Sequence, residues 1–148
     1  MFERAHHRRI ARVLATLNGD LLREANCLFG GGTAMALRFG EYRESVDMDF
    51  LVSDLDSYRR LRQLLTGGSG LSGLLRSDGE KFRLAREIRA DQYGIRTTLL
   101  VDEAPIKFEI VLEGRIGIDR KLDAIDVQTV VGSEYLLHVG VLIPLHFP

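Results

Sequence analysis

The chain has 148 residues, of which 45% are hydrophobic and 28% charged, with a formal net charge of −1. These values predict one globular domain with a real core and exclude a protein that attracts nucleic acid through bulk positive charge. No apolar run approaches the ~20 residues of a membrane span, and no signal-peptide pattern opens the chain. The single cysteine, Cys27, cannot form an internal disulfide, so we expect a reducing cytoplasm.

The N-terminal segment predicts a long helix and a short one. Over residues 4–17, apolar side chains recur at helical spacing and define one buried face. Asn18-Gly19 is a good helix stop, and Asp20 is expected to cap a short turn through Arg23. The arginines at 8, 9 and 12 favour a solvated helix face, with a phosphate-contacting patch as the alternative.

A glycine turn follows the next apolar segment. Residues 27–29 predict a buried strand that runs into three consecutive glycines at 30–32. Thr33 is expected to cap a helix over 34–38, and Gly40 to end it. A strand that opens a helix through glycines exposes backbone N–H groups to an anion without a Cβ in the way. This turn therefore indicates a phosphate site, although glycine turns are common.

The clearest strand covers residues 46–52. Val46, Met48, Phe50 and Val52 are expected to point into the core, while Asp47 and Asp49 share the opposite face. Ser53 or Asp54 is expected to cap the next helix, which runs through Leu65.

The rest of the chain predicts a flexible loop and an antiparallel meander. Residues 66–73 are the best candidate for disorder. Strand-like runs follow at 82–88, 93–101 and 106–112, separated by turn residues. Residues 125–131 could add another strand, and 132–134 resemble a helix entry, although the tail cannot stay helical past Pro144. The predicted fold is α+β, with a mixed, mostly antiparallel sheet and helices packed on one side.

Two carboxylates on one strand face are a candidate metal site. The Cα atoms of Asp47 and Asp49 would lie ~6.6 Å apart. Their repulsion favours a divalent cation between them, and carboxylate oxygen suits Mg²⁺ or Mn²⁺. On spacing alone, a solvent-facing acidic edge is the plainer interpretation. Residues 106–112 strengthen the case, because Lys107 and Glu109 share the polar face there. If this strand pairs beside residues 46–52, Glu109 can supply a third carboxylate.

Together, these segments resemble a known family. Residues 28–38 (LFGGGTAMALR) and 43–50 (RESVDMDF) reproduce in order and spacing a glycine-glycine-threonine turn, a helix and a serine-preceded Asp-x-Asp strand. This pattern is similar to that of the AbiEii/AbiGii nucleotidyltransferase toxins, the toxin half of type IV toxin–antitoxin systems. They are related to the MenT toxins and belong to the DNA polymerase β-like superfamily. The resemblance covers residues 28–53, and the order of elements holds over about the first 65.

The resemblance implies a function and roles for particular residues. It implies transfer of a nucleoside monophosphate from a nucleoside triphosphate to a hydroxyl of tRNA, protein or a small molecule, and an antitoxin partner. Asp47, Asp49 and Glu109 would hold Mg²⁺ or Mn²⁺, and Glu109 would accept the proton of the attacking hydroxyl or help to bind the metal. The nucleotide would contact a further set of residues, namely Gly31, Gly32, Thr33, Arg43, Ser45 and Lys107. For Lys107, a plain surface lysine is the alternative.

The C-terminal part departs from the family pattern. Members usually continue into a helical half that helps to finish the active site, whereas residues 138–148 do not resemble those helices. We therefore expect a single nucleotidyltransferase-like domain over residues 1–148, which is either a truncated or frame-shifted relative or a minimal form. Apolar surface left uncovered by the missing helices would favour self-association. The main alternative is a catalytically inactive nucleotide-binding or protein-interaction module. An aspartyl-phosphate hydrolase and a restriction-like nuclease fit the residues around the aspartates less well.

Overall fold

The fold is built around a five-stranded sheet. The structure is a computed structural model that describes residues 2–112. The spatial order of the strands is β1-β2-β5-β4-β3. Their bounds are Leu28–Gly30 (β1), Asp47–Val52 (β2), Arg83–Ala90 (β3), Gly94–Val101 (β4) and Ala104–Leu112 (β5). Strands β2 and β5 pair in parallel, and all other neighbours pair antiparallel. The predicted mixed, mostly antiparallel sheet and its C-terminal meander are confirmed.

Helices alternate with the first strands and pack on the apolar face of the sheet. Their bounds are Ala5–Thr16 (α1), Gly19–Glu24 (α2), Gly31–Arg38 (α3) and Leu55–Thr66 (α4). The apolar face of α1, including Ile10 and Leu14, joins Met48 and Phe50 of β2 in one core. Phe50 also contacts the ring of Phe108 on β5, with the centroids 4.9 Å apart. The periodicity of 3.6 in α1 and of 2 in β2 thus predicted the buried faces correctly.

Two of the predicted helix starts are wrong, by two residues for α2 and by three for α3. The cap of α2 is Asn18, whose side chain accepts a hydrogen bond from the N–H of Leu21 at 3.2 Å, and not Asp20. Helix α3 begins at Gly31, so Thr33 lies in its first turn, and its hydroxyl donates to the carbonyl of Asp47. Thr33 therefore fastens α3 to β2 instead of capping the helix. For α4, Asp54 is the cap, accepting from Ser57 N–H at 3.3 Å.

Val46 does not belong to the core. Its side chain is 50% exposed, whereas Met48, Phe50 and Val52 are buried as predicted. Strand β2 starts one residue later, because its pairing with β5 begins at Asp47 opposite Lys107. Val46 thus lies outside the hydrogen-bonded ladder, where alternation no longer determines which side chain faces the core.

The segment expected to be a disordered loop is ordered. Residues Gly70–Leu74 form a 3₁₀ turn, and the side chains of Leu71 and Leu74 are buried. These leucines lie three residues apart, so one 3₁₀ turn places both on the same side against the core. The glycines of residues 66–73 indicated a loop, but burial of the two leucines against the core stabilises an ordered turn.

Truncating Leu74 is expected to destabilise the fold by about 2–5 kcal/mol, because Leu74→Ala leaves a cavity in the core. Urea denaturation followed by circular dichroism measures this change. Leu55→Ala is the matched control, since Leu55 is 46% exposed at the start of α4 and should cost under about 1 kcal/mol. Equal losses for the two variants would mean that the 3₁₀ turn does not contribute to the core.

Three further expectations concern a membrane span, the single cysteine and the C-terminal segment. Within residues 2–112, no helix is both long and apolar enough to cross a bilayer. Cys27 is buried, and burial raises the pKa of its thiol to about 12, in keeping with a core position. The strand predicted at 125–131, the helix entry at 132–134 and the C-terminal tail lie outside the described residues.

Candidate active site

The glycine turn lies directly beside the second aspartate. Strands β1 and β2 pair with Gly30 opposite Asp49, and the chain turns into α3 at the next residue. Gly31 has a φ of +76°, and a Cβ built on it would lie 3.1 Å from Oδ2 of Asp49. Only glycine combines this backbone conformation with such a close approach. The start of α3, with its unpaired N–H groups, and the Asp49 carboxylate therefore share one edge of the site.

The parallel pairing of β2 and β5 aligns the remaining predicted residues. Asp49 lies opposite Glu109, and Asp47 lies opposite Lys107. The neighbouring residues Met48, Phe108 and Ile110 are buried, so these four polar side chains share the opposite face of the sheet. Residues 107–112 pair beside residues 47–52, which is the condition under which Glu109 can supply a third carboxylate.

The surroundings of Asp49 disfavour its ionised form. Burial raises the pKa of Asp49, and the negative charges of Asp47 and Glu109 raise it further. The ammonium group of Lys107 acts in the opposite direction and compensates only in part. A carboxylate with a raised pKa is ionised at a cost to the fold, and a cation placed among these groups would relieve that cost.

Replacing Asp49 by asparagine is expected to stabilise the metal-free fold at neutral pH. The pKa of Asp49 in the native state is above the ordinary value of 3.8, so the unfolded chain releases this proton first as pH rises. Native stability therefore falls as pH rises from 3.8 through the raised pKa, and Asp49→Asn removes that fall. Thermal unfolding in EDTA should give the variant a higher Tm at pH 7 and an equal Tm near pH 3. A lower Tm at pH 7 would contradict the electrostatic picture.

Glu109 is held by an arginine that the sequence analysis did not single out. Its Oε2 accepts a hydrogen bond from Nε of Arg96 on β4 at 2.8 Å, and the two residues lie opposite each other in the sheet. Arg96 also lies 3.5 Å from Oδ2 of Asp91. In this arrangement no group of three His, Cys, Asp or Glu side chains among residues 2–112 converges on one point as a metal cage. Glu109 is therefore aligned with Asp49, but its carboxylate is engaged by Arg96.

An open groove runs over this face of the sheet. Its volume is about 760 Å³, within the ~300–1,000 Å³ range of small-molecule sites. The carboxylates line it together with four cationic side chains, which are Arg86, Arg89, Arg96 and Lys107. Sequence reasoning missed the three arginines. A register shift lies between Arg86 and Arg89 in β3, so residues three apart line the same groove, which strict alternation does not predict.

Arg43 and Ser45 belong to the loop between α3 and β2. A Cβ built on Gly32 would lie 2.1 Å from Nη2 of Arg43, so the guanidinium rests against the glycine turn. Ser45 is buried, and its backbone N–H donates to Nε2 of His7 at 2.9 Å. Thr33 is also buried, with its hydroxyl bonded to the Asp47 carbonyl. Among Arg43, Ser45 and Thr33, only Arg43 is exposed, and it presents its positive charge at the turn.

The N-terminal arginines favour the helix-face interpretation over a phosphate patch. Arg12 pairs with Glu80 and Asp102, each at 2.6 Å. Nη1 of Arg8 donates to the carbonyl of Phe2 at 3.1 Å. Arg12 is thus neutralised by carboxylates, and Arg8 is bound to its own helix entry.

Comparisons with known proteins identify the family. Residues 12–134 match the family described as the nucleotidyl transferase AbiEii toxin of the type IV toxin–antitoxin system. No curated protein matches the chain significantly. Among solved structures, Helicobacter pylori JHP933 is 15% identical with a TM-score of 0.41, over 76% of this chain and 46% of that one.

A second solved structure, a candidate nucleotidyltransferase from H. pylori, is 19% identical with a TM-score of 0.40, over 71% of this chain and 43% of that one. The chain thus spans less than half the length of these two proteins, and the likeness is too low to support an argument about the site. The assignment comes from the family match, which covers most of the chain and contains the glycine turn, both aspartates and Glu109. The chain belongs to the AbiEii family of type IV nucleotidyltransferase toxins.

Proposed function

We propose that the groove carries out metal-dependent nucleotidyl transfer from a nucleoside triphosphate to a hydroxyl acceptor. The observation that carries the proposal is the alignment of Asp47, Asp49 and Glu109 on two parallel strands, beside the glycine start of α3. Family membership supports the same activity. An isolated acidic edge would not account for the glycine at positive φ packed against Asp49.

The chemistry of the donors suits a divalent cation of the Mg²⁺ or Mn²⁺ type, once Glu109 turns from Arg96 toward the two aspartates. All three candidate ligands are carboxylates. The pKa of Asp49 is raised first by burial and then by the negative charges of Asp47 and Glu109, which a cation would offset. Asp47, Asp49 and Glu109 would hold the metal, with Glu109 leaving Arg96 to do so. A bound metal would offset the charge of the triphosphate and favour attack at its α-phosphorus.

The protein's own groups account for binding and proton transfer in this proposal. Backbone N–H groups at Gly31 and Gly32 would donate to the phosphates at the start of α3. Arg43 and Lys107 would supply positive charge at either side of the site. In the reaction, the acceptor oxygen bonds to the α-phosphorus, the bond to pyrophosphate breaks, and the hydroxyl proton passes to the carboxylate of Glu109.

The biological setting follows from the family and is proposed with the activity. We propose a single nucleotidyltransferase domain over residues 1–148, acting in the cytoplasm as a toxin with an antitoxin partner. The acceptor hydroxyl would belong to tRNA or to a protein, and self-association into a homo-oligomer is part of the same proposal. The buried thiol of Cys27 is compatible with a reducing compartment.

The ion pair between Arg96 and Glu109 favours a second candidate, a module that binds nucleotide without transferring it. A carboxylate held at 2.8 Å by a guanidinium is a poor proton acceptor and a poor metal ligand. Asp47, Asp49 and the glycine turn could still bind a nucleotide with one metal ion.

Incorporation of label from nucleoside triphosphates separates the two candidates. The full chain is incubated with each α-³²P-labelled triphosphate and a cell extract, in Mg²⁺ or in EDTA. The transferase predicts Mg²⁺-dependent label in a nuclease-sensitive or protease-sensitive fraction, and none from γ-labelled nucleotide. Calorimetric binding without label transfer would identify the binding module. Absence of both binding and transfer would overturn the two proposals together.

A further inference from the structure

The loop that carries Arg43 is tied to the first turns of α1 by two adjacent histidines. His7 is fully buried, with Nδ1 2.8 Å from Oε1 of Glu41 and Nε2 2.9 Å from the backbone nitrogen of Ser45. His6 reaches the carbonyl of Val46 at 3.2 Å. These contacts span 34 to 40 positions of the sequence and bridge both ends of the loop.

The hydrogen bonds define the protonation of His7. A backbone N–H can only donate, so Nε2 accepts from Ser45 and carries no proton. The proton of the neutral ring is then on Nδ1, where it is donated to the Glu41 carboxylate. His7 is thus an acceptor toward the loop and a donor toward Glu41.

Glu41 is itself held in an unfavourable backbone conformation. Its φ is +57°, a left-handed value that is strained for a residue with a Cβ. The carboxylate accepts from the N–H groups of Glu3 and Arg4 at 2.8 and 3.0 Å, and the Arg4 guanidinium donates to the Glu41 carbonyl. Burial alone raises the pKa of Glu41, but these bonds and His7 outweigh it and hold the pKa below its ordinary value. Strain of this kind persists only where surrounding bonds fix it, and such positions cluster at functional sites.

The fixed loop delivers Arg43 to the phosphate side of the site. Arg43 lies between the two anchored positions, Glu41 and Ser45, and its guanidinium rests on Gly32. No carboxylate within residues 2–112 forms a salt bridge with it. The guanidinium is therefore positioned beside the first turn of α3, where a negatively charged group such as a phosphate could pair with it.

We propose that His7 is a positioning residue for nucleotide binding, which acts by holding the Glu41–Ser45 loop so that Arg43 lies over the glycine turn. The inference rests on the proposed function, because the ligand that Arg43 would meet is the triphosphate. His7 touches neither the groove nor its carboxylates and acts only through the loop.

Two isosteric substitutions test the two halves of the histidine separately. In His7→Gln, the amide oxygen takes the place of Nε2 and can still accept from Ser45 N–H. In His7→Asn, the amide nitrogen takes the place of Nδ1, so Glu41 keeps its donor while Ser45 loses its acceptor. The Mg²⁺-dependent Kd for a nucleoside triphosphate is measured by calorimetry on the full chain. We expect about tenfold weaker binding for His7→Asn and a change of less than about threefold for His7→Gln.

A double-mutant cycle distinguishes positioning from general destabilisation. If His7 acts through Arg43, His7→Asn should weaken binding about tenfold in the native background and by less than about twofold beside Arg43→Ala. Amide hydrogen exchange should also show faster exchange at residues 41–46 in His7→Asn than in the native chain. If His7→Asn fails to fold, Glu41→Gln replaces it in the cycle, because the amide keeps a single acceptor oxygen and cannot serve both Glu3 N–H and the pair formed by Arg4 N–H and His7.

The outcomes separate this inference from the function on which it rests. A native chain that binds triphosphate, with His7→Asn binding equally well, overturns the positioning role alone. The same is true if the loss is undiminished beside Arg43→Ala, since His7 would then act by another route. A native chain that binds no triphosphate overturns the proposed function and the positioning role with it.

Discussion

Replacing both Asp47 and Asp49 with asparagine should abolish Mg²⁺-dependent nucleotide binding and lower nucleotidyl transfer at least ~10³-fold. The two side chains lie on the open face of β2, and Asp49 touches the glycine turn. Asparagine keeps their size and one oxygen each but removes two negative charges. A hard divalent cation bound by carboxylates loses most of its attraction, and the triphosphate then loses its bridge to the protein.

Calorimetry with and without Mg²⁺ measures the binding, and α-labelled triphosphate measures the transfer. Asp56→Asn is the matched control, because Asp56 carries the same charge on the exposed first turn of α4, away from the groove. The control should bind and transfer like the native chain. The double variant should remain folded, since removal of the Asp49 charge is expected to stabilise the metal-free protein. A double variant that is folded by circular dichroism and lacks function would exclude unfolding as the cause of the loss.

Retention of Mg²⁺-dependent binding by the double variant would remove these aspartates from the metal site. Retention of Mg²⁺-independent binding with loss of transfer would assign that binding to the glycine turn and Arg43. In that case the carboxylates would serve the chemical step alone.

Local periodicity accounts for what the sequence predicted well. In residues 47–50 and 106–110, apolar and polar side chains alternate strictly, so the sequence places the carboxylates on the face opposite the core. The glycine turn became informative only together with the Asp-x-Asp strand that follows it, because a glycine turn by itself is common. What alternation cannot give is which strands are neighbours. The placement of β5 beside β2 joins residues about sixty positions apart, and a pairing at that distance leaves no local trace.

The residues that escaped prediction depend on irregular or distant contacts. Arg86 and Arg89 line one groove only because β3 shifts its register between them. Arg96 and Glu109 lie opposite each other on the neighbouring strands β4 and β5, in a register that the turn at residues 102–103 establishes. The contact of His7 with Glu41 spans 34 positions, and two adjacent histidines on an amphipathic helix carry no recognisable motif. Val46 and the 3₁₀ turn were predicted wrongly for a related reason. Their local patterns indicated a core residue and a loop, but the end of the strand ladder exposes Val46 and the core buries Leu71 and Leu74.

Gly31→Ala should weaken nucleotide binding by about 10- to 100-fold, while Gly40→Ala leaves it unchanged. Both glycines have nearly the same backbone, with φ of +76° and +74°. Alanine at either position should therefore cost the fold a similar ~1–2 kcal/mol. They differ in their surroundings, because a Cβ at Gly31 meets the Asp49 carboxylate at 3.1 Å, whereas nothing lies within 4 Å of one at Gly40.

The pair thus separates backbone strain from displacement of Asp49. Urea denaturation of both variants gives the cost of the left-handed conformation, and calorimetric titration with triphosphate and Mg²⁺ gives the cost at the site. If Asp49 must lie against the start of α3 to bring metal and phosphate together, only Gly31→Ala weakens binding beyond its loss of stability. Equal binding by the two variants would mean that the close contact of Gly31 with Asp49 serves the packing of β1 on β2. The glycine would then be needed for the turn, and the phosphate site would have to be sought elsewhere in the groove, beside Arg96 and Lys107.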